Sequence, residues 1–146
     1  MALSDDQIEL LHESLFYLQE HKALAASVFY ENLFVIDPSL RPMFEGDLSE
    51  LSDKALFAFG AVVAQIQDLE VCREMTRDLA RRHVGYGVRP EHYPKVGEAV
   101  LATVAMVMAD GMTDEIGAAW REAYDAIAGS MIETAYPGQG GASATS

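Results

Sequence analysis

Apolar residues recur every three to four positions along most of the chain, the period of a helix with one buried face. No stretch alternates with the period of two that marks a half-buried strand. Ile8, Leu11, Leu15 and Leu18 carry a first stripe, opened by Ser4 and Gln7 at capping-box spacing and running to about Glu20. Ala23, Ala26, Tyr30, Leu33 and Phe34 carry a second, ending before Asp37 and Pro38 because the residue ahead of a proline leaves the helical region. The residues from Pro38 to Phe44 predict a short third helix capped by Asp37 and broken at Gly46 and Asp47, with a polar surface loop to Glu50. From about Ser49 the stripe resumes at Leu51, Ala55, Phe59, Val62 and Ile66, with Gly60 where a neighbouring backbone comes close.

A break near Asp68, Leu69 and Glu70 leads into a helix whose buried stripe is Cys72, Met75, Leu79 and His83. That helix stops in a turn broken by Gly85 and Gly87, and Pro90 is expected to open the next helix as its first residue. Val96, Val100, Val104 and Val107 lie in a stretch apolar nearly all round, as in a helix packed on several sides, and Gly111 ends it. Thr113 caps the last helix, with Asp114 and Glu115 in its first turn and Ile116, Trp120, Tyr124, Ile127 and Met131 on its buried face. The fold class is therefore all-α, without internal repeats.

The 146 residues suit one domain, residues 1–136, followed by a Gly, Ser and Ala rich tail over 137–146 expected to be flexible. A second domain such as a reductase finds no room. Ten basic against twenty-three acidic residues leave a formal charge of −13, which argues against nucleic acid and against an anionic membrane surface while leaving a basic protein partner open. Cys72 is the single cysteine, so neither an intrachain disulfide nor a cysteine-based metal cluster is available. The acidic N-terminus does not resemble a signal peptide, and the longest nearly unbroken apolar run, from Ala99 to Ala109, is short of the ~20 residues a spanning helix needs. A cytoplasmic location is expected.

His83 is the residue that composition leaves unexplained. An imidazole on a buried stripe is commonly a core histidine with both nitrogens hydrogen-bonded, and spacing alone does not separate that from a ligand. The surrounding string does more: Arg81-Arg82-His83, then Tyr86-Gly87-Val88, then His92-Tyr93-Pro94 followed by Val96-Gly97. It closely resembles the proximal segment of bacterial globins, the single-domain haemoglobins and the haem domains of flavohaemoglobins. The resemblance runs from about Ile8 to Glu133. It implies a globin fold, helices A to H around a haem pocket, with one five-coordinate haem b and His83 as axial ligand to the iron.

Other residues take roles through the same resemblance. Tyr30, in Val28-Phe29-Tyr30-Glu31-Asn32-Leu33-Phe34, matches a distal tyrosine whose hydroxyl stabilises the negative charge that an O2 ligand takes up; the alternative is a core tyrosine bonded to a backbone carbonyl. Phe44 matches a phenylalanine stacked on the porphyrin, or is a plain core residue. Aligning Lys54 with a haem-propionate partner puts Leu51 where a distal histidine or glutamine is common. A register one residue off would put Ser52 there instead, with Ala55 or Leu56 lining the pocket beside it.

Leu79, Val88 and Val96 complete the implied pocket, and Arg81 or Arg82 is a candidate for a propionate. Tyr93 matches a tyrosine that joins a glutamate in a network around the proximal histidine. The family position for that glutamate falls on Ala135, with Glu133 two residues earlier. His12, His21 and His92 read as surface residues. The implied function is reversible binding of O2, with CO and NO as further ligands, for carriage, storage or delivery. The alternatives are a nitric oxide dioxygenase served by a separate flavin or NAD(P)H-dependent reductase and, third, a gas sensor. A monomer or homodimer fits either.

Overall fold

The computed structural model describes residues 3–44, 48–65, 68–85 and 87–137. The Gly46 and Asp47 break, Ile66 and the tail beyond residue 137 lie outside them, as do the side chains of Ser49, Ser52 and Leu69. Among the described residues six α-helices follow one another: α1 (Asp5–Glu20), α2 (Lys22–Ile36), α3 (Leu48–Ala64), α4 (Leu69–Gly85), α5 (His92–Met108) and α6 (Asp114–Ala135). Short 3-10 helices over Pro38–Met43 and Ala109–Gly111 join α2 to α3 and α5 to α6. Among the described residues there is no strand, and no helix is long and apolar enough to cross a membrane.

Local chemistry sets most of these limits. The Gln7 amide donates to Ser4 Oγ at 3.1 Å and the Ser4 amide to Gln7 Oε1 at 2.9 Å, a reciprocal cap that starts α1. Asp37, extended at φ −149° and ψ 94°, stops α2 and then caps the 3-10 helix by accepting from the Ser39 amide at 3.0 Å. Thr113 Oγ1 accepts the Ile116 amide at 3.2 Å and starts α6.

Two expected boundaries move. Pro90 is not the first residue of α5: Arg89 to His92 form a separate turn, closed by the His92 amide on the Arg89 carbonyl at 3.0 Å and by the Arg89 amide on His92 Nδ1 at 3.0 Å. The helix starts only at His92. Gly111 does not end α5 either; Ala109, in the left-handed region at φ 49°, turns the chain and Gly111 closes the 3-10 helix that follows.

α5 packs against α1, α2 and α6, which accounts for its nearly continuous apolar character. Beside it Leu11, Leu15, Leu18, Val63, Val104, Val107 and Trp120 make one core. There the Trp120 indole stacks on Phe59 at 5.0 Å and donates to the buried Ser14 Oγ at 2.7 Å. On α3 the burial centres on Val62 and Val63 rather than on Ala55, which is exposed. Gly60 faces a side chain, not a backbone: an added Cβ would stand 3.1 Å from Leu15 Cδ2. On α4 the fully buried residues are Cys72, Thr76 and Ala80, because Thr76 Oγ1 meets Ser130 Oγ of α6 at 3.1 Å; Met75, Leu79 and His83 lie half-buried at the edge of that face.

At Gly97 the backbone of α5 meets the ring of Tyr124 on α6. A Cβ there would stand 2.7 Å from Tyr124 Cε2, and the Tyr124 hydroxyl is itself tied to the Tyr93 carbonyl at 2.7 Å, so the ring has little room to yield. Gly97→Ala is expected to lower the urea midpoint, since overpacking of about 1–3 kcal/mol outweighs the helix propensity of at most ~1 kcal/mol that alanine regains. An unchanged or raised midpoint would show that the two helices separate freely.

Candidate functional site

The expected site residues fall into two groups on either side of the first two turns of α5. On one side, Tyr30 of α2 is 7% exposed and is enclosed by aromatic rings. Phe29 and Phe44 meet it edge-on at 5.1 and 5.5 Å, and Phe34 stacks at 5.9 Å. Val96 and Ala99 of α5 pack into the same cluster with Leu33, Leu40 and Met43. The 3-10 helix that Asp37 caps carries Phe44 at its end, so the proline-terminated α2 places both aromatic residues. Burial pushes the Tyr30 phenol up to about 12, which keeps it protonated as a donor at neutral pH. A backbone carbonyl accepting from that hydroxyl, the mark of an ordinary core tyrosine, does not occur among the described residues.

On the other side, His83 occupies the last turn of α4 and its Nδ1 lies 2.7 Å from the Leu79 carbonyl. A carbonyl only accepts, so Nδ1 carries the proton in this bond, and Nε2 is the second ring nitrogen, of the kind that bonds metals in proteins. The His83 ring lies 6.5 Å from the buried ring of Tyr93. Burial first, and then the Tyr136 phenol close by, push the Tyr93 hydroxyl up to about 12. Leu79, Val88, Tyr124 and Ala135 pack around Tyr93 in this cluster.

Two tyrosine hydroxyls, one on the last helix and one just past it, reach the first turn of α5 and the segment before it. Tyr124 donates to the Tyr93 carbonyl at 2.7 Å and Tyr136, just past the end of α6, to the Val88 carbonyl at 2.6 Å. Burial raises the Tyr124 phenol strongly.

On α3, Leu51 is half-buried while Lys54 and Ala55 are exposed; Leu56 packs into the core beside Trp120. Arg81 and Arg82 are exposed, and Arg82 pairs with Asp78 one turn earlier. Glu133 is exposed and lines a polar groove between α4 and α6 with Arg73, Arg77 and Asp125, whereas Ala135 faces the Tyr93 cluster. His12 and His21 are exposed, and the half-buried His92 accepts from the Arg89 amide. Among the described residues no three histidine, cysteine or carboxylate side chains cluster as a metal site.

Three contributors escaped the pattern of the sequence: Tyr136, the Tyr124 hydroxyl and the Asp37–Lys95 pair. The last joins the 3-10 helix to α5 with Lys95 Nζ 2.5 Å from Asp37 Oδ2. The partners stand 58 positions apart, and no local signal couples them. The Lys95 bond, with Ser39 second, lowers the Asp37 carboxyl to about 2. A lowered folded-state value means that this stabilisation is complete above the unfolded value near 4 and is lost as pH falls from about 4 through about 2. Lys95→Met should therefore flatten the pH dependence of stability between pH 4 and 2 and raise the Asp37 midpoint followed by NMR. An unchanged midpoint would place the shift elsewhere.

With that geometry in view, the comparisons with known proteins agree on one family. A model of the globin family matches residues 27–131. An uncharacterized globin-like protein of Aquifex aeolicus is 34% identical over 130 residues, covering 89% of this chain and 92% of its own length. The chain belongs to the globin family. The flavohemoprotein of Rhizobium meliloti is 34% identical over 117 residues, covering 76% of this chain, and flavohemoprotein A of Dictyostelium discoideum is 31% identical over 134 residues, covering 91%. This chain spans only 28% and 34% of those two relatives. Among solved structures, a bacterial globin of Campylobacter jejuni superposes with a TM-score of 0.75 at 26% identity, covering 90% of this chain and 96% of that one. An engineered carbene transferase from Rhodothermus marinus superposes with a TM-score of 0.74 at 28% identity, covering 87% and 89%.

Proposed function

We propose that this globin binds one haem b through His83 and takes up O2 reversibly, with CO and NO as further ligands, for oxygen carriage, storage or delivery. The observation that carries the reading is the His83 ring in the last turn of α4, set against the buried Tyr93 and oriented by its Nδ1 bond to the Leu79 carbonyl. The donor set fits haem: one imidazole on one side, a protonated phenol among aromatic rings on the other. When bound, haem supplies an iron that can take a diatomic gas. Tyr30 then provides a hydrogen-bond donor on the gas side, and Phe29, Phe34, Phe44 and Val96 keep that side apolar. The proposal includes a cytoplasmic location and a monomeric or homodimeric state.

One absorption spectrum tests it. The full chain mixed with haem, first ferric and then reduced under CO, should give the bands of a histidine-ligated CO complex; the bands of free haem would refute it. A second reading, a nitric oxide dioxygenase with a separate reductase, draws on the flavohemoprotein relatives. The exposed Glu133 speaks against it, since a carboxylate joined to Tyr93 is the feature that would push electron density toward the iron. Rapid return from ferric to ferrous with a flavin or NAD(P)H-dependent reductase would favour the enzyme. Slow autoxidation without one would favour the carrier. A gas sensor ranks third.

A further inference from the structure

We propose that Tyr136 is a positioning residue for His83, its hydroxyl anchoring the turn that ends α4 through the Val88 carbonyl 2.6 Å away. The inference rests on His83 being the axial ligand. It starts from how α4 ends. The Val88 amide donates back to the His83 carbonyl at 3.0 Å and the Gly87 amide to the Val84 carbonyl at 3.0 Å, with Gly87 in the left-handed region at φ 86°. The backbone of His83 is thus part of a closed turn whose outer end is Val88. Closing bonds of this kind are local and fray easily unless something outside the helix holds the turn.

That hold comes from α6. Val88 presents its carbonyl to Tyr136 and its side chain to the cluster of Tyr93, Leu79 and Ala135. Tyr124, three turns earlier on α6, holds the Tyr93 carbonyl at 2.7 Å and so pins the first turn of α5. Val88 and the first turn of α5 are therefore each held by a phenol, one just past α6 and one on it. Glu133, exposed among Arg73 and Arg77, takes no part in this. Tyr136 is itself half-buried. With the turn held, the imidazole has one orientation about its Leu79 bond; with it released, the last turn of α4 and the ring that it carries can move.

The test removes the hydroxyl alone. Tyr136→Phe, Tyr124→Phe and Glu133→Gln are compared with wild type by amide hydrogen exchange of the full chain, with and without haem. The iron–histidine stretching frequency and the haem dissociation rate of the loaded proteins complete the comparison. Tyr136→Phe should speed exchange at Gly87 and Val88 roughly two- to tenfold, the factor for one net hydrogen bond. It should also lower the stretching frequency and speed haem loss roughly tenfold, the low end of what an outer partner of a metal ligand is worth. Tyr124→Phe should act on exchange at the start of α5 instead, and Glu133→Gln should be silent in every measurement. Unchanged exchange at Gly87 and Val88 in Tyr136→Phe would overturn the anchor. Faster exchange with an unaltered stretching frequency would overturn the positioning role and leave Tyr136 a staple of the fold. A wild-type chain that takes up no haem would refute the proposed function and the positioning role together, while exchange in the haem-free chain would still show whether the anchor exists.

Discussion

His83→Gly should cost this chain its haem. The proposed ligand ring of His83 is oriented by the bond of Nδ1 to the Leu79 carbonyl at 2.7 Å, and among the described residues no group of three or more histidine, cysteine or carboxylate side chains could hold a metal ion instead. Loss of an outer partner of a metal ligand costs about 10- to 100-fold in affinity, and loss of the ligand itself should exceed that range. Apolar contact from Leu79, Val96 and Phe44 does not replace a coordinate bond. The variant should nevertheless fold: His83 is half-buried at a helix end, outside the fully packed stripe of Cys72, Thr76 and Ala80. Added imidazole should partly restore the ferrous-CO spectrum by entering the space of the missing ring. Unchanged haem retention together with an unchanged spectrum would sink the assignment of His83.

Tyr30→Phe should speed O2 release about ten- to a hundredfold and CO release far less. The phenol is buried, protonated up to about pH 12 and surrounded by Phe29, Phe34 and Phe44, so it is the strong donor of that cluster. A hydrogen bond to an acceptor bearing negative charge is worth about 1.5–3 kcal/mol, which is that range of rates. O2 takes up such charge as a ligand and CO much less. Phenylalanine keeps the ring and its edge-on contacts, so the comparison isolates the hydroxyl. Stopped-flow release of both gases decides: equal effects on the two would mean that the residue acts by shape.

Most of the helical stripes, the caps at Ser4, Asp37 and Thr113 and the glycine turn at Gly87 were legible in the sequence, because each arises within a few residues of itself. The string around His83 and the Tyr30 segment could be picked out for the same reason, although periodicity alone left each of them a core residue or a ligand. Where the chain depended on distant partners, the pattern failed. Cys72, Met75, Leu79 and His83 look like one stripe, yet the face that packs on α6 is Cys72, Thr76 and Ala80, since a threonine hydroxyl that meets Ser130 counts as polar in any periodicity. At Pro90, which looks like a helix start, the miss is local instead: the His92 ring, only three positions after Arg89, accepts from the Arg89 amide and makes a turn there first. The position of Glu133 outside the Tyr93 cluster follows from the phase of α6 against α4 and α5.

By itself, then, the sequence determined that the chain is all-helical, where its helices begin and end to within a few residues, and which imidazole and which phenol deserve a chemical role. These are consequences of backbone sterics, capping and a period of 3.6, all local. Only the tertiary structure decided that Asp37 pairs with Lys95, that Tyr124 and Tyr136 hold the connection beside His83, and that Gly97 exists to admit a tyrosine ring. Each of those joins residues from different helices, and the distance between two side chains on separate helices is set by how the helices pack, which no spacing along one chain segment encodes.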